Sequence, residues 1–230
     1  MNFIAPPLGT TVAFLLVIFA VQGMLLYAVH KAGSARATGF TAAGFVVVMV
    51  VTTLLAQSGV MARQTMPTPT MMYFAICNLT AAALALSRPG RVLAAAVVPA
   101  FWLLFQGFRL PLEVILHLWQ EAGTVPLQMS WSGQNLDVIS GIAGLLLGLI
   151  LLKRPTARWA GWLGHAVGLG LLANVARIAL LSVPSPFRTF EDPLLLPFHA
   201  PYLWILPFAV SAALFTHIVG LRALMRPPSA

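Results

Sequence analysis

Apolar residues dominate this chain so heavily that the sparse polar positions carry its pattern. Long hydrophobic runs recur along it, each near the ~20 residues an α-helix needs to cross ~30 Å of hydrocarbon. Seven runs reach or approach that length, at about 8–29, 38–58, 70–86, 92–108, 138–152, 159–183 and 198–221. The fifth is short, so it either begins deeper or lies tilted. Gly33-Ser34, Pro67, Pro69, Pro89-Gly90, Pro155 and the prolines at 184, 186, 193 and 197 punctuate the breaks, as residues that stop helices and turn chains should. The expected fold class is therefore all-α: one transmembrane helix bundle of about seven spans over 1–230, with no internal repeat and no domain boundary.

One stretch has a different period. Over about 111–121, in PLEVILHLWQE, Leu112, Ile115, Leu116 and Trp119 share one helical face. Arg109, Glu113, His117 and Glu121 recur at steps of four on another. This spacing predicts a short amphipathic helix at the outer face, continuing or bent from the fourth span. With the following SWSGQNLD, the region holds Glu113, Glu121 and Asp137, three of the five acidic residues of the chain. In so apolar a protein each ionised group needs a partner, water or a task, which makes this stretch the expected functional centre.

Composition fixes the class. Of 230 residues 60% are hydrophobic and 8% charged, against roughly 25% charged in soluble domains; mean hydropathy is +0.92. The net charge of +8 does not point to nucleic acid, because the basic residues lie in short loops between apolar runs and form no patch. They orient the chain instead. With the N-terminus outside, Lys31, Arg36, Arg88, Arg91, Lys153, Arg154, Arg158, Arg222 and Arg226 fall on the cytoplasmic side, nine of the thirteen basic residues, and all five acids fall outside. The positive-inside rule thus predicts an N-out, C-in membrane protein. The expected partners are the lipid bilayer and a membrane or periplasmic protein at the outer face; no residue pattern names a cofactor. The single cysteine, Cys77, excludes an intrachain disulfide and a cysteine zinc site.

An outward-facing polar pocket is expected from Arg109, Glu113, His117, Asn135, Asp137, Asn174, Arg177 and His199. Asn174 and Arg177 share a face within two turns of the outer end of the sixth span, so Arg177 should turn inward and find a carboxylate. Asp137 is the first choice and Glu113 the second. Asp137 with Asn135 is also placed to cap the fifth helix. Glu113 and His117, one turn apart, form the start of a metal site with Asp137 or His199 as third ligand, or simply the wet face of an interfacial helix with Trp119 in the headgroup belt. His165 and His217 fall toward inner helix ends, where they can bond each other or headgroups. Asn78 is placed to bond another helix, and Gly144 with Gly148 forms a close-packing frame.

The blocks FRLPLEVILHLWQEAG, VPLQMSWSGQNLDVISG and LLSVPSPFRTFE resemble an uncharacterised family of small bacterial integral membrane proteins, a likeness that implies a relationship and no activity. More distantly, VISGIAGLLLGL, ANVARI and His199 are similar in order and spacing to the Cys, Arg and His blocks of exosortases and archaeosortases. That resemblance implies catalytic roles for Arg177 and His199, and Asp137, just before the VISG block, is the third catalytic candidate. Ile139, however, stands at the position of the nucleophilic Cys, and Ala143 at that of a nearby Arg. The functional alternatives are therefore a binding protein of the outer face, an exosortase-like relative without its thiol, and a transporter, which would need a polar path through the inner half.

Overall fold

The structure is a computed structural model and describes residues 3–63 and 65–226. Six helical stretches are long and apolar enough to cross a membrane, and a seventh helix is apolar but shorter. The protein is a multi-pass membrane protein. Helix α1 spans Leu8–Ala32, α2 Ala35–Gln57, α3 Pro69–Leu86, α4 Arg88–Ala96, α5 Pro99–Leu104, α6 Arg109–Glu121, α7 Val138–Lys153, α8 Arg158–Ser182 and α9 Ser211–Leu224. Local chemistry sets several starts: Ser34 Oγ accepts from the Ala37 amide and Thr68 Oγ1 from the Met71 amide, with Pro69 in the first turn of α3 where its missing N–H is not needed.

The fourth crossing differs from expectation. The apolar run 92–108 is not one helix, because Pro99 disfavours helical backbone in the residue before it: Val98 has φ −58° and ψ 142°, and Val97 is extended. The chain therefore makes the short α4, breaks, and starts again at Pro99. From there α5, a 3₁₀ turn over Phe105–Phe108 and α6 follow without interruption, giving one run from Pro99 to Glu121 that is long and apolar enough to cross a membrane. The expected outer-face amphipathic helix is thus the second half of a span. Its stripe grades from buried to wet: Arg109 and Glu113 lie inside the bundle, His117 is partly exposed and Glu121 is 60% exposed.

This Pro99–Glu121 run is the axis of the fold. α7 packs along one side of it, α9 along another, and α1 against its C-terminal part, with α8 closing on α7 and α9. The apolar face read from the sequence is the core face: Leu112, Ile115, Leu116 and Trp119 join Phe14, Ile18 and Phe208 in the main core. Trp119 is buried, not a headgroup residue, and its Nε1–H donates to Thr10 Oγ1 at 2.8 Å. Gly141, Gly144 and Gly148 line the α7 face, where an added Cβ would come within 2.6–2.9 Å of Leu110, Gln106 with Leu103 O, and Leu104. Helix α2 is peripheral and mostly exposed, as a lipid-facing helix should be; Trp204 ties it to the bundle through Met49 O and Thr53 Oγ1.

The connection 122–137 folds back into the protein. Gly123, at φ 74°, ends α6, and Gln128, Met129, Ser130 and Asn135 are then buried. Gln128 Nε2 donates to Ser182 Oγ and Asp192 O. As a result α7 starts beside Arg109, twelve residues and about 18 Å of helix below Glu121. That is why the seventh helix is short.

Candidate functional site

Where α6, α7, α8 and α9 meet, a continuous buried polar chain crosses the interior. Arg109, Glu113 and Asp137 are 1%, 2% and 5% exposed, and His165 and His217 are fully buried. Arg109 Nε donates to Asp137 Oδ2 at 2.6 Å, and its Nη2 lies in ion-pair contact with Oδ1 at 2.5 Å. A hydrogen bond between two charged partners is roughly twice as strong as one between neutral groups. Ser140 Oγ adds a second donor, to Oδ1 at 2.9 Å.

On one side of this pair lies Glu113. Asn135 joins them: its Nδ2 donates to Glu113 Oε2 at 2.8 Å and to Met129 O at 3.1 Å, and its Oδ1 accepts from the Asp137 amide at 3.1 Å. On the other side Arg109 Nη1 donates to Gly168 O at 3.2 Å and contacts His217 Nε2 at 3.4 Å. His217 Nδ1 in turn lies 2.9 Å from His165 Nδ1. The chain therefore runs Glu113, Asn135, Asp137, Arg109, His217, His165. Beside it Gln106 Nε2 donates to Thr216 Oγ1 at 2.8 Å.

The two histidines are set by reciprocal glycines. A Cβ on Gly168 would strike the Cε1–Nε2 edge of His217, and one on Gly220 the same edge of His165. Each ring thus lies in the gap left by a glycine on the facing helix. The sequence carries the signal: HAVG at 165–168 and HIVG at 217–220 place a His and a Gly one turn apart on both helices. The pair was readable as a contact between inner helix ends, but its junction with Arg109 was not.

An apolar cleft of about 70 Å³ reaches this chain between α3, α6, α8 and α9. Glu113, Arg109 and Asp137 line its floor, and its walls include Phe74, Leu116, Leu172, Leu196, Ile205 and Ala209.

Several expected relationships are replaced. Arg177 does not pair with Asp137 or Glu113: it is exposed, and its Nη2 donates to Gln134 Oε1 at 3.2 Å and Asn174 Oδ1 at 3.1 Å. Asn174 itself donates to Gln134 O at 2.9 Å. Position, not chemistry, decides this, since Asp137 is drawn below the level of Arg177 by the folded-back connection and is already held by Arg109. Asp137 is the residue before α7 but its carboxylate caps no α7 amide, because Arg109 and Ser140 hold it. His117 stacks on Trp131 at 4.3 Å and reaches Glu121 at 3.5 Å, away from the Glu113–Asn135 bond. Glu113, His117 and Asp137 therefore form no ligand set, and no cluster of three such residues able to hold a metal occurs among the described residues.

His199 stacks on Phe3 at 3.8 Å between centroids, and partial burial holds its basicity below that of an ordinary imidazole. Ile139, Arg177 and His199, the positions of the exosortase-like trio, share no hydrogen bond among the described residues. Asn78 bonds Phe74 O in its own helix at 2.9 Å instead of a neighbouring helix.

No protein-family model, curated protein or solved structure matches this chain. The site's own geometry is what speaks for its function.

Proposed function

We propose that this is a ligand-binding protein of the bacterial cytoplasmic membrane, N-terminus out and C-terminus in, whose site is the apolar cleft over Glu113. The observation that carries this reading is the charge of the cleft floor. Arg109 is matched by Asp137, so with Glu113 ionised the three sum to +1 −1 −1, or −1. Glu113 receives one hydrogen bond, from a neutral amide, and no cation of the described residues bonds it. A carboxylate in such surroundings either takes a proton or meets a cation.

The walls select the rest of the ligand. The walls are apolar, Phe74, Leu116, Leu172, Leu196, Ile205 and Ala209 among them, and such a lining suits an alkyl chain, with the few polar groups at the floor fixing its orientation. The ligand class is then an apolar molecule with a cationic, hydrogen-bond-donating end: the chain lies along Leu172, Leu196 and Ala209 and the cationic end meets Glu113. Asn135 positions that carboxylate, and Arg109 holds Asp137 so that a second negative charge does not compete for the ligand.

Three ligands of one skeleton test this. Hexylammonium, hexanol and hexanoate are each titrated into the purified protein while thermal unfolding is followed. Preferential binding to the folded state raises Tm with concentration. Hexylammonium should stabilise most and hexanoate least, and Glu113→Gln should remove the preference for the amine. Equal effects of all three ligands, or a preference that survives Glu113→Gln, rules the assignment out.

A further inference from the structure

The His165–His217 pair lies on the far side of Arg109 from the cleft, and its proton positions follow from donor counting alone. An arginine guanidinium only donates and stays charged. His217 Nε2, at 3.4 Å from Arg109 Nη1, must therefore present its lone pair. Neutral His217 then carries its proton on Nδ1, and that N–H points at His165 Nδ1, 2.9 Å away. His165 Nδ1 must accept, which puts the proton of His165 on Nε2. That Nε2 is buried and has no hydrogen-bond partner. One arginine thus dictates both tautomers through two contacts.

A further proton cannot be added without breaking the contact between His217 and Arg109. Placed on His217 Nε2, it faces the Arg109 N–H groups donor to donor. Placed on His165 Nδ1, it faces the His217 Nδ1–H, and the bond survives only if His217 moves its own proton to Nε2, which again opposes Arg109. Among the described residues Arg109 is the one other titratable side chain hydrogen-bonded to either ring; α5 presents Trp102 beside His165, and Asp137 lies on the far side of the guanidinium.

We propose that His165 and His217 form a proton-binding site, and that uptake of one proton there releases Arg109 from His217. The released guanidinium remains tied to Asp137, so the change is carried toward Asn135 and Glu113 at the cleft. The proton site stands on its own geometry and does not depend on which ligand the cleft takes.

The test is nitrogen NMR on the full chain in lipid nanodiscs, labelled at histidine and arginine, with the five histidines assigned by single His→Gln changes. At neutral pH the His217 signals should report a proton on Nδ1 and those of His165 a proton on Nε2. On acidification the pair should gain one proton, and the Arg109 side-chain signals should shift at the same midpoint. His165→Gln should abolish the Arg109 shift. If that variant does not fold, the wild-type tautomers and the shared midpoint decide the matter by themselves. A His217 proton on Nε2 at neutral pH, a pair that titrates while Arg109 stays fixed, or a pair that stays neutral until the protein unfolds would each overturn the proposal.

Discussion

Arg109 and Asp137, 28 residues apart in sequence, close on each other at 2.6 and 2.5 Å with almost no exposure to solvent. This pair joins the middle of the Pro99–Glu121 run to the residue that precedes the next helix, and Gly168 O and His217 bring in two more helices. It is the junction from which both the cleft and the histidine pair are held.

Breaking such a pair from one side leaves an uncompensated buried charge, at a cost of about 3–5 kcal/mol. Arg109→Met and Asp137→Leu should therefore each sharply reduce the yield and the midpoint of denaturant unfolding. The double change removes both charges and should recover much of the loss, giving a coupling well outside additivity. Additive losses in the cycle would show that the two residues act separately.

Arg177 offers the contrast. It is exposed and bound only by Gln134 and Asn174, and contacts of exposed charged side chains contribute about 0–1 kcal/mol. Arg177→Ala should unfold at nearly the wild-type midpoint under the same conditions. A loss matching that of Arg109→Met would mean that Arg177 has a buried partner after all.

The membrane class, most of the spans and the polar stretch around Glu113 were legible because hydropathy and helical period act locally. The apolar face of Leu112, Leu116 and Trp119 was read correctly for the same reason. What escaped was depth. SWSGQNLD is polar and reads as a surface loop, yet Asn135 in it and Gln128 just before it find partners inside and draw Asp137 down to Arg109. Once Asp137 moves, the pairing with Arg177 is lost and the short fifth span is explained. The break before Pro99 was written in the sequence but was outweighed by the continuous apolarity of 92–108. Nothing local relates His217 to Arg109, 108 residues away.

Glycine positions give a test of the packing with an internal control. A Cβ on Gly144 would sit 2.8 Å from Leu103 O and from Gln106 Cβ, whereas one on Gly170 meets nothing within 4 Å. Gly144→Ala should destabilise by about 1–3 kcal/mol through overpacking. Gly170→Ala should be neutral or stabilise by up to about 1 kcal/mol, since alanine loses less backbone freedom in a helix. Thermal unfolding of both variants side by side reads the difference, and the reverse order would contradict the packing of α7 on the central run.

His199 carries a pH dependence of defined sign. Burial against Phe3 lowers its affinity for protons in the folded state, so the unfolded chain binds the proton more readily near the ordinary value of about 6.5. Stability from this group is therefore fully present above that pH and declines as pH falls through it. His199→Gln should flatten that part of a stability profile measured between neutral and mildly acidic pH. An unchanged slope would assign the dependence to other groups, the buried histidine pair first among them.

Orientation is the last expectation to be tested, and two exposed positions suffice. With seven crossings, nine of the thirteen basic residues would share one side, and such an excess marks the cytoplasmic face. The alternation requires seven crossings, of which six helical stretches are long and apolar enough and α7 is the shorter seventh. Although α4 is no crossing, the run from Pro99 to Glu121 replaces the 92–108 span one for one, and α7 returns the chain before Lys153 and Arg154. Thr189 lies exposed in the connection after α8, and Ser34 lies exposed between α1 and α2. In a Cys77→Ala background, Thr189→Cys should react with an impermeant maleimide added to cells whose outer membrane alone is opened, while Ser34→Cys should react only after the inner membrane is breached. The opposite pattern would invert the protein and place the folded-back connection and Glu121 on the cytoplasmic side. Labelling of both sites from outside would mean that an odd number of crossings does not separate positions 34 and 189, and that α7 stops short of the inner face.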